Sequence, residues 1–141
     1  MKSLLKYPLS VWSWFTFGLL MLLWLLPVAI TFVVTRPFDK ARYWPGYLFR
    51  RMPVAHRIMN PHWKFKIGGV FPADPRHPYV VVSNHQSFVD MLLISQLPWE
   101  MKWMSKQSLF KVPVAGWLMR MAGDIEIERG DARSALKALR E

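Results

Sequence analysis

The order of apolar and polar residues divides the chain into two parts near residue 60. No charged residue occurs from Tyr7 to Thr35, and residues 17–30 are almost continuously apolar. A helix that crosses a bilayer needs about 20 mainly apolar residues, so this run predicts a membrane helix. Basic residues on both sides of the run, together with Pro27 inside it, leave open a hairpin whose two ends lie at one membrane surface.

A cleaved signal peptide and a buried helix of a soluble protein are the two alternatives for this run. The apolar region of a signal peptide has about 7–15 residues and is followed by small residues at the cleavage site. The run here is longer and ends in Phe32-Val33-Val34-Thr35. Its length without a charge also exceeds what a buried helix requires, so the membrane helix is favoured.

The rest of the chain alternates between patterns typical of strands and patterns typical of helices. The predicted strands are residues 63–67, 79–83, 101–104 and 125–127, of which the β-branched run at 79–83 reads as a buried parallel strand. The predicted helices are residues 87–97, residues 113–121 and a last helix that begins near Asp131. Such alternation is typical of βαβ units. The predicted fold class is therefore α/β, with a membrane-anchoring helix or hairpin at 1–59 and an incomplete βαβ sheet domain at 60–141.

The charges separate the same two parts of the chain. The net charge is +10, and residues 1–71 hold ten Lys and Arg residues but one acid, Asp39. Residues 72–141 hold nine basic and eight acidic residues. A basic excess beside an apolar run indicates an anionic membrane surface rather than nucleic acid, and places the C-terminal side of the run in the cytoplasm. Arg50 and Arg51, among aromatic residues, are expected to contact lipid phosphates.

The composition removes several kinds of active site. The chain has no cysteine, which excludes a disulfide, a thiolate zinc site and a cysteine nucleophile. It has no His-Glu-x-x-His motif, so no metal site is expected. It has no Gly-x-Ser-x-Gly nucleophile elbow either, so a covalent acyl-enzyme intermediate is not expected.

The most specific local feature is Asn84-His85-Gln86-Ser87-Phe88-Val89-Asp90, which joins the predicted strand at 79–83 to the next helix. Ligands of open α/β sheets bind at the carboxyl ends of strands. If His85 lies in the turn and Asp90 points back from the helix, the carboxylate can hold one ring nitrogen and raise the basicity of the other. His85 would then take a proton from a substrate hydroxyl. A capping Asn-His turn with an unrelated aspartate remains the alternative on spacing alone.

A second segment adds to this motif. Residues 106–129 contain Lys106, Leu109, Pro113 and Gly116, followed by a strand that leads to Arg129. Together the two blocks resemble the glycerolipid acyltransferases, specifically the 1-acyl-sn-glycerol-3-phosphate acyltransferases. The first block is similar to the Asn-His-x-x-x-x-Asp motif of that family, and the second to its Lys-x-x-Leu-x-x-x-Pro-x-x-Gly segment.

The resemblance implies a reaction and a role for each residue. His85 would be the general base on the free hydroxyl of lysophosphatidic acid, and Asp90 would orient it. Asn84, Lys106 and Arg129 would bind the substrate, with the two cations near the acceptor phosphate. The acyl donor would be acyl-CoA or an acyl carrier protein, and no cofactor is implied. The product would be phosphatidic acid.

The same resemblance predicts that the chain is an N-terminal portion. The third block of the family, Phe-Pro-Glu-Gly-Thr-Arg, is expected after Arg129 and does not occur in these 141 residues. Two alternatives therefore stay open. In the first, the acceptor is another lysophospholipid or glycerol-3-phosphate. In the second, the chain is a non-catalytic fragment attached to the membrane.

Overall fold

Helices dominate the architecture, and the described residues also form one small parallel sheet. The structure is a computed structural model that describes residues 6–74, 76–84 and 86–128. Its elements are α1 (Lys6–Thr35), α2 (Tyr43–Met59), α3 (Phe88–Ile94), β1 (Met104–Lys106), α4 (Gln107–Phe110), α5 (Ala115–Ala122) and β2 (Ile125–Ile127).

The apolar run forms the long helix α1. Within the described residues it is the one helix long and apolar enough to cross a membrane, judged by length and composition. Its buried residues repeat at helical spacing and form one narrow stripe: Ser13, Thr16, Leu20, Val28 and Thr35. Most of the other apolar side chains of α1 are exposed. The helix therefore contacts the rest of the protein along one line and presents a wide apolar surface outward.

Helix α2 runs back along this stripe, so that α1 and α2 form an antiparallel hairpin. The indole nitrogens of Trp12 and Trp24 donate to the carbonyl oxygens of Met59 and Leu48, each at 2.9 Å. Between these contacts, the buried His56 Nε2 donates to the carbonyl oxygen of Ser13 at 2.9 Å. These bonds fix the register of the hairpin, most strictly at His56, because a buried polar group needs its partner.

The strands β1 and β2 are parallel, with Met104 opposite Ile125 and Lys106 opposite Ile127. Helices α4 and α5 connect them. Gly123 ends α5 in the left-handed conformation, with φ of 77°. The buried apolar core joins α5 to the hairpin and consists of Leu20, Val28, Phe49, Met52, Leu118 and Ala122.

Two predicted strands are wrong. Residues 63–67 and 79–83 lie outside any strand. Val80 and Val82 are 88% and 90% exposed, so the β-branched run is not buried either. A strand exists only where a neighbour supplies its hydrogen bonds, and the sheet of the described residues contains β1 and β2 alone.

The other expectations differ in detail. The helix predicted at 87–97 is the shorter α3, and the helix predicted at 113–121 is α5. The strand predicted at 101–104 is shifted along the chain and forms β1, which starts at Met104 and ends at Lys106. The strand predicted at 125–127 is confirmed as β2. The helix expected after Asp131 lies outside the described residues. A mixed helical fold with a small parallel sheet is confirmed, but a larger βαβ sheet is not.

Candidate functional site

The predicted site is only partly contained in the described residues. His85 and Arg129 lie outside them, whereas Asn84, Asp90 and Lys106 lie within. Asn84 is exposed and follows the exposed segment at residues 79–83. The sequence predicted that the motif starts at the edge of a buried sheet, and the structure shows that it does not.

Asp90 faces back toward the turn that precedes α3. Its Oδ2 accepts hydrogen bonds from the backbone N–H groups of Gln86 and Ser87, both at 2.8 Å. As in a capping box, this carboxylate three residues after the N-cap accepts from the backbone N–H of the N-cap residue, and here it also accepts from the residue before it. Because Gln86 is bonded directly to His85, Asp90 fixes the backbone next to the predicted base. Its contact with the imidazole stays a prediction.

The hairpin contacts the motif through three aromatic rings. Trp14 stacks on Phe88 with centroids 6.1 Å apart, and Phe17 meets Phe88 edge to face at 5.1 Å. Aromatic pairs in these geometries stabilise beyond the area they bury. Phe88 lies between His85 and Asp90 in the sequence, so the first half of α1 lies against the predicted catalytic motif. The motif predicted a base and its partner, and gave no sign of this contact.

Lys106 is exposed and is the last residue of β1. Its partner in the sheet is Ile127, the last residue of β2, two positions before Arg129 in the sequence. Parallel strands end at the same edge of a sheet. Lys106 and Ile127 thus lie at one edge of the sheet, and Arg129 follows Ile127 by two positions in the sequence.

A buried ionic network lies at the opposite, amino edge of the sheet. Arg50 of α2 forms an ion pair with Asp124, and its Nε donates to the carbonyl oxygen of Met101 at 3.1 Å. The Asp124 carboxylate also accepts from the backbone N–H of Trp103 at 3.1 Å. Arg50 is 5% exposed, so the expectation that it contacts lipid phosphates is wrong. It attaches α2 to the sheet instead.

A second ion pair lies beside the first. Lys102 Nζ donates to Glu100 Oε1 at 2.6 Å, to the carbonyl oxygen of Ala122 at 2.7 Å and to that of Arg42 at 2.8 Å. Gly46 of α2 faces this group, where a β-carbon would collide with Glu100 Oε1 and lie 2.7 Å from Lys102 Nζ. The ammonium group therefore joins the C-terminal end of α5 and Glu100, which precedes β1, to the start of α2.

Burial dominates the ionisation of these groups. Burial raises the pKa of Asp124 and of Glu100, while the neighbouring cations Arg50 and Lys102 oppose the shift. Burial likewise lowers the pKa of Lys102, against the attraction of Glu100. Buried ion pairs of this kind fix orientation more than they add stability.

Sequence reasoning missed this network, although one signal pointed to it. Gly46, Phe49, Arg50 and Pro53 follow each other at helical spacing, so Arg50 lies on the buried face of α2. A lone cation on a buried face requires a buried acid. In the structure this acid is Asp124, which lies between Gly123 and β2. Within the described residues, no three His, Cys, Asp or Glu side chains are grouped as metal ligands.

Comparison with known sequences identifies related proteins. A sequence model described as Acyltransferase matches residues 64–141, which is more than half of the chain. A 1-acyl-sn-glycerol-3-phosphate acyltransferase of Chlamydomonas reinhardtii is 36% identical over 121 residues, covering 82% of this chain and 36% of that protein. A chloroplastic enzyme of the same name from Arabidopsis thaliana is 38% identical over 82 residues, covering 57% of this chain and 23% of the relative.

A relative with a different printed name also matches. The lyso-ornithine lipid O-acyltransferase of Pseudomonas aeruginosa is 39% identical over 62 residues, covering 44% of this chain and 24% of that protein. The chain thus spans about a third of the algal relative and about a quarter of the other two. No solved structure matches the chain significantly.

Proposed function

The chain belongs to the Acyltransferase family, and from this premise we propose that the protein transfers a fatty acyl group to lysophosphatidic acid. The acceptor is the free hydroxyl of the glycerol backbone, and the product is phosphatidic acid. Support comes from the relatives named 1-acyl-sn-glycerol-3-phosphate acyltransferase, which include the algal and plant proteins.

The proposed mechanism uses His85 as a general base and needs no covalent enzyme intermediate. The imidazole takes the proton of the acceptor hydroxyl while that oxygen attacks the carbonyl carbon of an acyl thioester. A carbon–oxygen bond forms, the carbon–sulfur bond breaks, and the imidazolium returns the proton to the departing thiolate. Lys106 and Arg129 hold the acceptor phosphate, to which a guanidinium can bind in a bidentate manner. Asn84 contacts the substrate beside His85.

One observation carries this proposal. The Asp90 carboxylate is bound to the backbone N–H groups of Gln86 and Ser87, immediately after His85. A carboxylate fixed in this position lies beside the backbone that directly follows His85 in the sequence. It therefore suits the role of orienting the imidazole and stabilising its protonated form.

The proposal leaves two choices open, the acyl donor and the acyl acceptor. The acyl donor is a thioester of coenzyme A or of acyl carrier protein. The acceptor has an alternative in another lysolipid, because the Pseudomonas aeruginosa relative is named for a lyso-ornithine lipid. Glycerol-3-phosphate is the remaining alternative. The residues that bind the donor determine the first choice, and those that surround the acceptor headgroup determine the second.

The proposed place of the reaction is a membrane surface, with the catalytic part on the cytoplasmic side. The exposed face of α1 is apolar from Val11 to Val34, and its other face is covered by α2 and α5. If α1 crossed the bilayer, α2 would have to return through it with Arg50 and Arg51 at its centre. The structure therefore favours a hairpin that lies in one leaflet, with α1 toward the lipid.

The test is acyl transfer by the purified chain in mixed micelles. Lysophosphatidic acid, a lyso-ornithine lipid and glycerol-3-phosphate are offered in turn, each with acyl-CoA and with acyl carrier protein as donor. We expect the highest kcat/KM with lysophosphatidic acid. A higher kcat/KM with another acceptor would show that lysophosphatidic acid is not the preferred substrate. If no acceptor is acylated, the result supports the alternative of a non-catalytic fragment attached to the membrane.

A further inference from the structure

A cavity of about 330 Å³ lies where α1 ends and α2 begins. It is lined mainly by Phe32, Thr35, Arg36, Asp39, Lys40 and Arg42. Its volume reaches the lower end of the range of small-molecule sites. Three of these six residues are cations and one is an acid, so the cavity carries a positive charge.

Two of the charged side chains already have partners. Both carboxylate oxygens of Asp39 accept backbone hydrogen bonds at the start of α2, from Tyr43 N and Trp44 N at 2.9 Å each. Arg42 donates to the carbonyl oxygen of Arg120 and lies over the ring of Phe32. Both residues therefore shape the cavity and are held in place by the protein.

The other two cations are available to a ligand. Within residues 6–74, 76–84 and 86–128, the side chains of Arg36 and Lys40 form no hydrogen bond or ion pair, and both are exposed. A guanidinium and an ammonium beside one cavity suit a phosphate group, the first by paired hydrogen bonds and the second as a point charge.

The surroundings of the cavity indicate a lipid as the source of the phosphate. Val33, Val34 and Phe38, which are neighbours of the lining residues, are among the most exposed apolar side chains. A phospholipid with its phosphate in the cavity would place its acyl chains beside this apolar surface. Basic residues next to a membrane helix lie at the depth of the lipid headgroups. A soluble phosphate would make no use of the apolar surface.

We propose that this cavity binds the phosphate of an anionic membrane phospholipid and retains the protein on anionic membranes. The site goes beyond acyl transfer, because it lies far from the catalytic motif. Phe17, which contacts Phe88, and Thr35, which lines the cavity, are separated by a helical rise of roughly 27 Å. The lipid bound here is thus a second lipid and not the acyl acceptor.

The test is partition of the chain between buffer and sealed vesicles, which requires no catalysis. Vesicles of phosphatidylcholine are compared with vesicles in which part of it is replaced by phosphatidylglycerol. For the double variant Arg36→Gln/Lys40→Gln, we expect partition to the anionic vesicles to fall on the order of 30-fold. Partition to phosphatidylcholine stays unchanged, because the apolar face of α1 is intact.

The matched control is Lys64→Gln/Lys66→Gln, which removes the same charge from two exposed lysines elsewhere. We expect this control to keep most of the preference for anionic vesicles. The exchange variant Arg36→Lys/Lys40→Arg, which retains both positive charges, should keep it as well. Equal losses in both double variants would overturn the site, because charge alone would then explain binding. Release of the wild-type chain by inorganic phosphate at constant ionic strength would also overturn it, since the ligand would then not be a lipid.

Discussion

At the scale of single residues, the ion pair of Arg50 and Asp124 is the most specific connection between the hairpin and the sheet. Both side chains are almost fully buried, and backbone groups of Met101 and Trp103 supply their remaining hydrogen bonds. Removing one partner of such a pair leaves the other as an uncompensated charge in a dry environment.

Asp124→Asn is therefore predicted to lower the free energy of unfolding by about 3–5 kcal/mol. The matched control is Glu126→Gln, two residues away, whose carboxylate is partly exposed and lies 3.8 Å from Arg120. An ion pair of that kind contributes about 1 kcal/mol or less. Urea denaturation in detergent measures both variants. Similar small losses in the two would contradict a structural role for the buried pair.

The sequence predicted individual residues unevenly. Asn84, His85 and Asp90 stay predictions as site residues, although the hydrogen bonds of Asp90 to the preceding turn agree with the orientation expected for it. Arg50 was misplaced, because its expected surface position rested on its charge and its aromatic neighbours. Its real position depends on Asp124, which lies 74 residues away in the sequence. A contact between distant residues leaves no local pattern.

At the scale of secondary structure, local patterns predicted α1, α5 and β2, but a strand pattern alone did not determine whether a strand forms. The apolar run of α1, the Gly123 end of α5 and the alternation of β2 each carry their own signal. Residues 79–83 carry an equally strong β-branched pattern but have no neighbouring strand among the described residues. Residue type favours an extended chain, and only a second strand converts it into a sheet.

The close approach of α2 to the sheet gives a prediction at this scale. Gly46→Ala places a methyl group against Glu100 and Lys102, so we expect the free energy of unfolding to fall by about 1–3 kcal/mol. The control is Gly18→Ala on α1, where a β-carbon meets no atom within 4 Å. That variant should gain up to about 1 kcal/mol from helix propensity. If both variants change stability equally, the contact at Gly46 is not tight.

At the scale of the whole molecule, the hairpin joins the proposed membrane surface to the proposed catalytic motif. The exposed side of α1 is apolar, its buried side holds α2 and α5, and its first half reaches Phe88 through Trp14 and Phe17. An acceptor with one acyl chain in the leaflet would therefore meet the motif beside the helix that holds the protein there.

The orientation of α1 can be measured because the chain contains no cysteine. Tyr7 and Phe38 are exposed near the two ends of the helix, so each is replaced by cysteine in turn. The variants are added to preformed sealed vesicles and treated with a maleimide that does not cross membranes. A hairpin in one leaflet predicts labelling of both positions from outside. Protection of Tyr7→Cys until detergent is added would instead show that α1 spans the bilayer.

The central claim is that this protein transfers acyl groups with His85 as the base, and His85→Ala tests it most directly. The measurement is kcat at saturating lysophosphatidic acid, compared with His62→Ala, which removes an exposed imidazole outside the motif. We predict that His85→Ala lowers kcat on the order of 10²–10⁴-fold while the thermal unfolding midpoint is unchanged. His62→Ala should keep the wild-type kcat. A His85→Ala variant with wild-type kcat would contradict the account.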